Sequence, residues 1–243
     1  MTAVIAHRGA SAEAPENSLE ALELGMELGA DAIELDVRRT AGGALLVFHD
    51  PTLDRTTDAT GCIAQLTRAE ADRARLANGE PIPGLEDVLR RFADVEITVD
   101  VKDPGAAAAV VALIEALGRV ERTILYVEEG VDTRAFRTYA GRRATSTGQA
   151  IRLAREPDWL TATGEREVPE VVHTPMEWRG VPIVTHAFVE RVRATGRTVQ
   201  VWTIDDLDTA GRLVEWDTDG IITNDVRGLR AWMRAGARRE TDA

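Results

Sequence analysis

Apolar and polar positions alternate strictly in two short runs of the chain. In Ala32-Ile33-Glu34-Leu35-Asp36-Val37, a period of two places Ile33, Leu35 and Val37 on one face of a strand and both carboxylates on the other. Ile97-Thr98-Val99-Asp100-Val101-Lys102 repeats the arrangement, with Thr98, Asp100 and Lys102 on the polar face. Around these runs, strand-like and helix-like segments take turns. Val4 to His7 opens as a strand, and a helix is predicted from about Ser18 to Leu28, capped by Asn17 with Glu20 in capping-box position and closed by Gly29-Ala30. Thr67 to Glu70 carries a second capping box, and helices follow at Leu85 to Phe92, Ala106 to Leu117 and Thr133 to Ala140. Further strands are predicted at Thr123 to Val127, Arg143 to Ser146, Val171 to Thr174, Val199 to Thr203 and Gly220 to Thr223, with helices at Leu207 to Trp216 and Val226 to Ala235. Glu156 to Glu170 has the weakest pattern.

Val37 and Leu45 are too close for a parallel crossover, which needs about a dozen residues, whereas Gly42-Gly43 suits a two-residue hairpin loop. That register sets His49 directly opposite Asp36, on the same face. With the return strand set aside, eight strands alternate with helices. The expectation is an α/β fold, a TIM (β/α)8 barrel with a short hairpin and a small insertion, residues 50–84, after the second barrel strand. A chain of 243 residues suits one such domain over 1–243. In a barrel the apolar alternates pack against helices and the polar ones point inward. Buried acids there are costly unless they lie at the C-terminal mouth and are paired. Three converging carboxylates, Glu34, Asp36 and Asp100, repel one another, and one divalent cation relieves this; oxygen ligands favour Mg²⁺ or Ca²⁺ over zinc.

Composition sharpens the picture at one residue. Of 29 Lys and Arg residues, only Lys102 is a lysine, beside the acids, where a compact point charge fits a confined space better than a guanidinium fork. A net charge of -12 argues against nucleic acid as a partner. No run of about 18 apolar residues indicates a membrane span, and His7 leaves no room for a signal peptide ahead of it. A lone Cys62 fits a reducing cytoplasm. Monomer and homodimer both stay open.

The runs His7-Arg8-Gly9-Ala10, Pro15-Glu16-Asn17-Ser18, Gly29 to Val37 and Val47-Phe48-His49-Asp50-Pro51-Thr52-Leu53-Asp54-Arg55-Thr56-Thr57 resemble glycerophosphodiester phosphodiesterases. The likeness extends through Ile82-Pro83-Gly84-Leu85-Glu86 and Val201-Trp202-Thr203-Ile204-Asp205 to Asp219 to Asn224, and its first third is highly specific. The resemblance implies hydrolysis of a small-molecule glycerophosphodiester to glycerol 3-phosphate and an alcohol, on a TIM barrel with a divalent metal. It implies that His7 and His49 are the acid/base pair and that Glu34, Asp36 and Asp100 hold the metal. Arg8 and Lys102 would neutralise phosphate oxygens, Glu16 and Asn17 would support them, and Trp202 would wall the pocket. It also implies a cyclic phosphate intermediate opened by water.

Departures from the family pattern carry expectations of their own. Asp100 stands where many relatives have glutamate, one methylene longer. Val127-Glu128-Glu129 replaces a common Ser-Phe and adds acid at the mouth, favouring choline- or ethanolamine-like headgroups; Asn224-Asp225 reads as a loop detail. His173 and His186, outside the motifs, are expected to be surface or structural. Two alternatives stay open: a lysophospholipase D-like phosphodiesterase, which predicts an apolar groove at the rim, and a non-catalytic glycerophosphodiester-binding protein, which predicts loss of a histidine or acid.

Overall fold

The computed structural model describes residues 1–103, 105–127, 134–156, 158–159 and 168–241. Seven strands lie side by side: β5 (Thr123–Val127), β4 (Glu96–Val101), β2 (Ala32–Arg39), β1 (Ala3–His7), β10 (Gly220–Thr223), β9 (Thr198–Trp202) and β6 (Val171–Pro175). Each neighbouring pair is parallel. Isolated parallel bridges from Leu125 to Arg143 and from Ala144 to Val171 fill the gap between β5 and β6. Residues 143–144 thus stand where the eighth strand was predicted, and the ring closes as a TIM-type barrel.

The apolar alternates of the strands face the helices. Ile33, Leu35, Val37, Ile97, Val99 and Val101 form one cluster with α1 (Leu19–Glu27), α3 (Leu85–Arg91) and α4 (Ala107–Ala116). A second cluster joins β6, β9 and β10 to α7 (His186–Arg193), α8 (Leu207–Glu215) and α9 (Val226–Thr241). Each fully buried Leu, Ile or Val contributes about 1.5–3 kcal/mol, so these outer faces fix which side of each strand turns inward. Inside the ring, Ile5, Ala32 and Ile222 make an apolar floor beside Ile124, Ala144 and Val171. The polar residues sit above that floor, at the C-terminal ends.

The hairpin differs from its predicted register. Thr40 N donates to Ala44 O (2.9 Å), so the turn has three residues, 41–43, and Gly43 takes the positive φ of +87° that closes such a loop. In β3 (Leu45–Val47), Val47 pairs with Val37, and Phe48 N donates to Asp36 O (3.0 Å). His49 is therefore one residue past the position opposite Asp36. Beyond it, the 50–84 segment carries α2 (Arg68–Ala71), which has the predicted Thr67/Glu70 capping box, and shares an apolar cluster of Leu46, Phe48, Leu53, Ile63, Ala71, Ala74, Leu76 and Ile82.

Other elements were not predicted. These are α6 (Thr147–Arg155), a hairpin of β7 (Glu177–Trp178) and β8 (Val181–Pro182), and α7. The helix expected from Thr133 has its described part at α5 (Arg134–Thr138); Thr133, Glu128 and Glu129 lie outside the described residues. α1 is capped by Ser18, whose side chain accepts from Ala21 N, not by Asn17. Among the described residues no helix is long and apolar enough to cross a membrane.

Candidate active site

Strand register brings the acids together. His7 pairs with Glu34 across β1 and β2, and Asp36 pairs with Asp100 across β2 and β4. Glu34, Asp36 and Asp100 are all buried, and each offers a carboxylate oxygen within 4.8 Å of the other two. Burial pushes the Glu34 carboxyl well above its usual range, and the charges of Asp36 and Asp100 push it further. Burial acts on Asp36 in the same direction, but Arg8, Lys102 and His49 outweigh it and hold Asp36 low. Arg8 Nε lies 3.0 Å from Asp36 Oδ2, and Lys102 Nζ lies 2.6 Å from Asp100 Oδ2 and 3.4 Å from Asp36 Oδ1. The lone lysine thus sits between two of the three acids.

The turn after β1 aims Arg8 into this cluster. Arg8 and Asn17 adopt φ of +56° and +61°, a conformation ordinary side chains avoid, and Gly9 follows at +84°. A Cβ on Gly9 would come within 2.3 Å of the Ala21 backbone, so only glycine lets this turn press against α1. Asn17 N donates to Arg8 O (2.9 Å), and its Nδ2 donates to Asp36 Oδ2 (2.9 Å). Asn17, released from capping by Ser18, therefore belongs to the site. Glu16 accepts from Arg8 Nη1 (2.9 Å) and also from Arg55.

Each mouth histidine is fixed through Nδ1. His7 Nδ1 lies 2.7 Å from Asn224 Oδ1, and Asn224 Nδ2 donates to Asp205 Oδ2 (2.6 Å), which fixes the amide with its oxygen towards the ring. An amide oxygen only accepts, so Nδ1 carries the hydrogen and Nε2, the nitrogen able to accept, lies 3.8 Å from Glu34 Oε2. Burial, then Arg8, lowers the His7 pKa, against the Asn224 hydrogen bond. His49 Nδ1 lies 2.6 Å from Asp50 Oδ1, and its carbonyl accepts from Arg38 Nε (2.7 Å). Asn224 is thus the orienting partner of His7 rather than a loop detail; its place at the end of β10, another strand reaching the mouth, was the available signal.

Trp202 is half-buried, packs on the Ile5/Ala32/Ile222 floor and lies 5.8 Å from the ring of His173. His173 is no surface residue. It lies inside the barrel, 4.9 Å from Tyr126, and burial, aided by His7 and Lys102, lowers its pKa to about 3. His186 is exposed beside Glu190, as expected. A cavity of about 510 Å³ opens between the loops after β6 and β9, with Met176, Pro182, Val184, Ile204 and Trp216 in its walls beside Glu177, Asp205 and Asp206.

A closed parallel barrel with acids, paired cations and two oriented histidines at its C-terminal mouth defines a class: an α/β-barrel phosphoric diester hydrolase. The chain belongs to the glycerophosphoryl diester phosphodiesterase family, whose family model matches residues 7–227. It is 34% identical over 237 residues, 93% of this chain and 88% of its relative, to the Mycobacterium tuberculosis protein named probable glycerophosphodiester phosphodiesterase 2. A glycerophosphodiester phosphodiesterase of Caldanaerobacter subterraneus is 31% identical over 249 residues, 97% of this chain and 99% of that one. The crystal structure of glycerophosphodiester phosphodiesterase from Agrobacterium tumefaciens superposes with a TM-score of 0.77 at 27% identity, covering 95% of this chain and all of that one.

Proposed function

We propose that the protein hydrolyses glycerophosphodiesters to sn-glycerol 3-phosphate and an alcohol, with His7 and His49 moving the protons and Glu34, Asp36 and Asp100 holding one Mg²⁺ or Ca²⁺. The observation that carries this reading is the convergence of three buried carboxylates beside Arg8 and Lys102 at the mouth. With all three ionised, these acids against the two cations among the described residues leave an excess negative charge, which repels a phosphodiester monoanion and burdens Glu34 most. A divalent cation among the carboxylate oxygens reverses that sign, so the donor set fits a hard ion. When bound, the ion supplies Lewis-acid stabilisation of charge on the phosphate oxygens.

The chain's own residues account for the rest. Arg8 and Lys102 face the phosphate oxygens, while Asn17 and Glu16 hold Asp36 and Arg8 in place. One histidine takes the proton of the glycerol 2-hydroxyl through Nε2; that oxygen attacks phosphorus, and the bond to the alcohol breaks. The other histidine protonates the departing oxygen through its own Nε2. Water then opens the cyclic phosphate with the two roles exchanged, giving glycerol 3-phosphate. Trp202 walls the pocket on the β9 side. The single Cys62 supports a reducing, cytoplasmic setting for a one-domain enzyme over 1–243, with 50–84 as its small insertion.

The experiment is glycerol 3-phosphate release from glycerophosphocholine and glycerophosphoethanolamine, with EDTA and with added Mg²⁺ or Ca²⁺. Release that EDTA stops and an ion restores is expected; no release under any metal sinks the reading. The cavity beside the mouth favours a second reading, a lysophospholipase D-like activity. Trp178, Val181 and Leu207 are exposed and each is a chain neighbour of a residue lining the cavity. Lysophosphatidylcholine as a further substrate decides it, since that reading requires faster cleavage of the acylated diester.

A further inference from the structure

Arg55 touches both carboxylates that orient the mouth, although nothing in the chemistry above uses it. Its Nε and Nη2 donate to Asp50 Oδ2 (2.6 Å) and Oδ1 (2.9 Å), and its Nη1 and Nη2 donate to Glu16 Oε2 (2.8 Å) and Oε1 (2.7 Å). One guanidinium thus makes two bidentate forks that share Nη2. Each carboxylate has a second client on the same oxygen: Asp50 Oδ1 meets His49 Nδ1 at 2.6 Å, and Glu16 Oε1 accepts from Arg8 Nη1 at 2.9 Å. The chain of contacts therefore runs from His49 through Asp50, Arg55 and Glu16 to Arg8. It joins a proton-transfer group supplied after β3 to a phosphate-binding group supplied after β1.

The backbone that carries Arg55 is itself pinned. Leu53 is buried in the insertion's apolar cluster, its N donates to Gly61 O (3.0 Å), and Thr57 Oγ1 donates to Leu53 O (2.8 Å). Arg55 is half exposed, and an exposed ion pair by itself adds little stability. Two shared forks instead constrain direction, since each carboxylate has one orientation that satisfies both of its partners. Arg55 holds the Asp50 carboxyl below its usual range, and Arg55 with Arg8 outweighs burial to do the same for Glu16, so both remain acceptors.

We propose that Arg55 is a positioning residue that locks Asp50 and Glu16 together and thereby aligns His49 and Arg8 as one unit. This rests on the roles given above to His49 and Arg8. Arg55 touches no reacting atom; it acts through the carboxylates. A lysine offers one point charge and cannot make both forks, so Arg55→Lys should resemble deletion.

The test is kcat with glycerophosphocholine, together with Tm, for Arg55→Ala, Arg55→Lys, Glu16→Gln/Asp50→Asn, and that double variant with Arg55→Ala added. Arg55→Ala should lower kcat by about 10–100-fold with Tm nearly unmoved, as loss of an orienting partner does. Arg55→Lys should regain little of it. In the Glu16→Gln/Asp50→Asn background, removing Arg55 should cost under about threefold, because nothing is left to position. Wild-type kcat in Arg55→Lys, or the same loss from Arg55→Ala in both backgrounds, overturns the proposal. Arg55→Lys decides the matter alone if Arg55→Ala does not fold. An inactive wild type, or full activity in His49→Ala, would instead overturn the reading beneath it.

Discussion

What each imidazole inside this barrel end can do follows from the partner of its Nδ1. His7 faces an amide oxygen and His49 a carboxylate, whereas His173 Nδ1 meets no charged or amide-oxygen partner of that kind among the described residues. If the first two move the protons as proposed, removing either leaves that transfer to water, so His7→Ala and His49→Ala should each lower kcat by about 10²–10⁴-fold with the fold intact. Asn224→Leu keeps the imidazole but frees its ring, and kcat should fall by about 10–100-fold. His173 behaves in the opposite way, because its buried neutral ring matters for stability. Its folded pKa of about 3 lies below the unfolded value of 6.5. Between those values the unfolded chain binds a proton that the folded one does not, so His173 costs stability as pH falls from about 6.5 towards 3. Urea unfolding at pH 6.5 and pH 5 should therefore show the wild type losing about 1–2 kcal/mol more than His173→Gln. Equal losses would mean that His173 is protonated within the fold. Lys102→Arg is the matching test of charge shape: with Nζ 2.6 Å from Asp100 and 3.4 Å from Asp36, a wider fork must displace one of them, and activity should fall by about tenfold or more.

At the scale of elements, the site depends on how the first turn meets the first helix. Ser18→Ala removes the cap of α1 and should cost about 1 kcal/mol in urea unfolding while kcat stays unchanged. Gly9→Ala drives a methyl into the Ala21 backbone at a residue with φ of +84° and should cost about 3 kcal/mol or more. The contrast separates helix stability from turn geometry. It also explains what was legible in the sequence. Glu34, Asp36, Asp100 and Lys102 could be placed because strand alternation is a local rule with one answer per face. Asn17 was open to two readings, helix cap or site residue, because two good capping residues are adjacent, and only the positive φ of Asn17 decides between them. The hairpin register was missed because Gly42-Gly43 permits both a two-residue and a three-residue loop, and these differ by one residue in what faces Asp36. α6 carries its own sequence signal, since Ser146 and Gln149 form a capping box at its start. Asn224 carried one signal, its place at the end of β10, while the place of His173 inside the ring was not readable, since it follows from pairing between strands distant in sequence.

The whole molecule places an apolar floor and a shell of helices around a group of charges that oppose one another. Glu34, Asp36 and Asp100 lie within 4.8 Å in a buried setting, and Arg8 and Lys102 offset only part of their repulsion. Without an ion this end of the barrel is a net cost to folding, which the outer apolar clusters must outweigh. An ion that binds the folded chain and not the unfolded one adds stability by mass action, about 2.7 kcal/mol at a hundred times its Kd. For a chain of this length that amounts to a rise of roughly 5–10 °C in Tm. Mg²⁺ or Ca²⁺ added after EDTA should therefore raise the wild-type Tm by that order, whether or not substrate is present. Glu34→Gln removes a carboxyl whose charged form burial and its neighbours disfavour, and one of the ligands with it. It should melt higher than the wild type in EDTA and gain little from either ion. If Glu34→Gln gains as much from the cation as the wild type does, the ion binds elsewhere and the three acids serve only as counter-charges to Arg8 and Lys102.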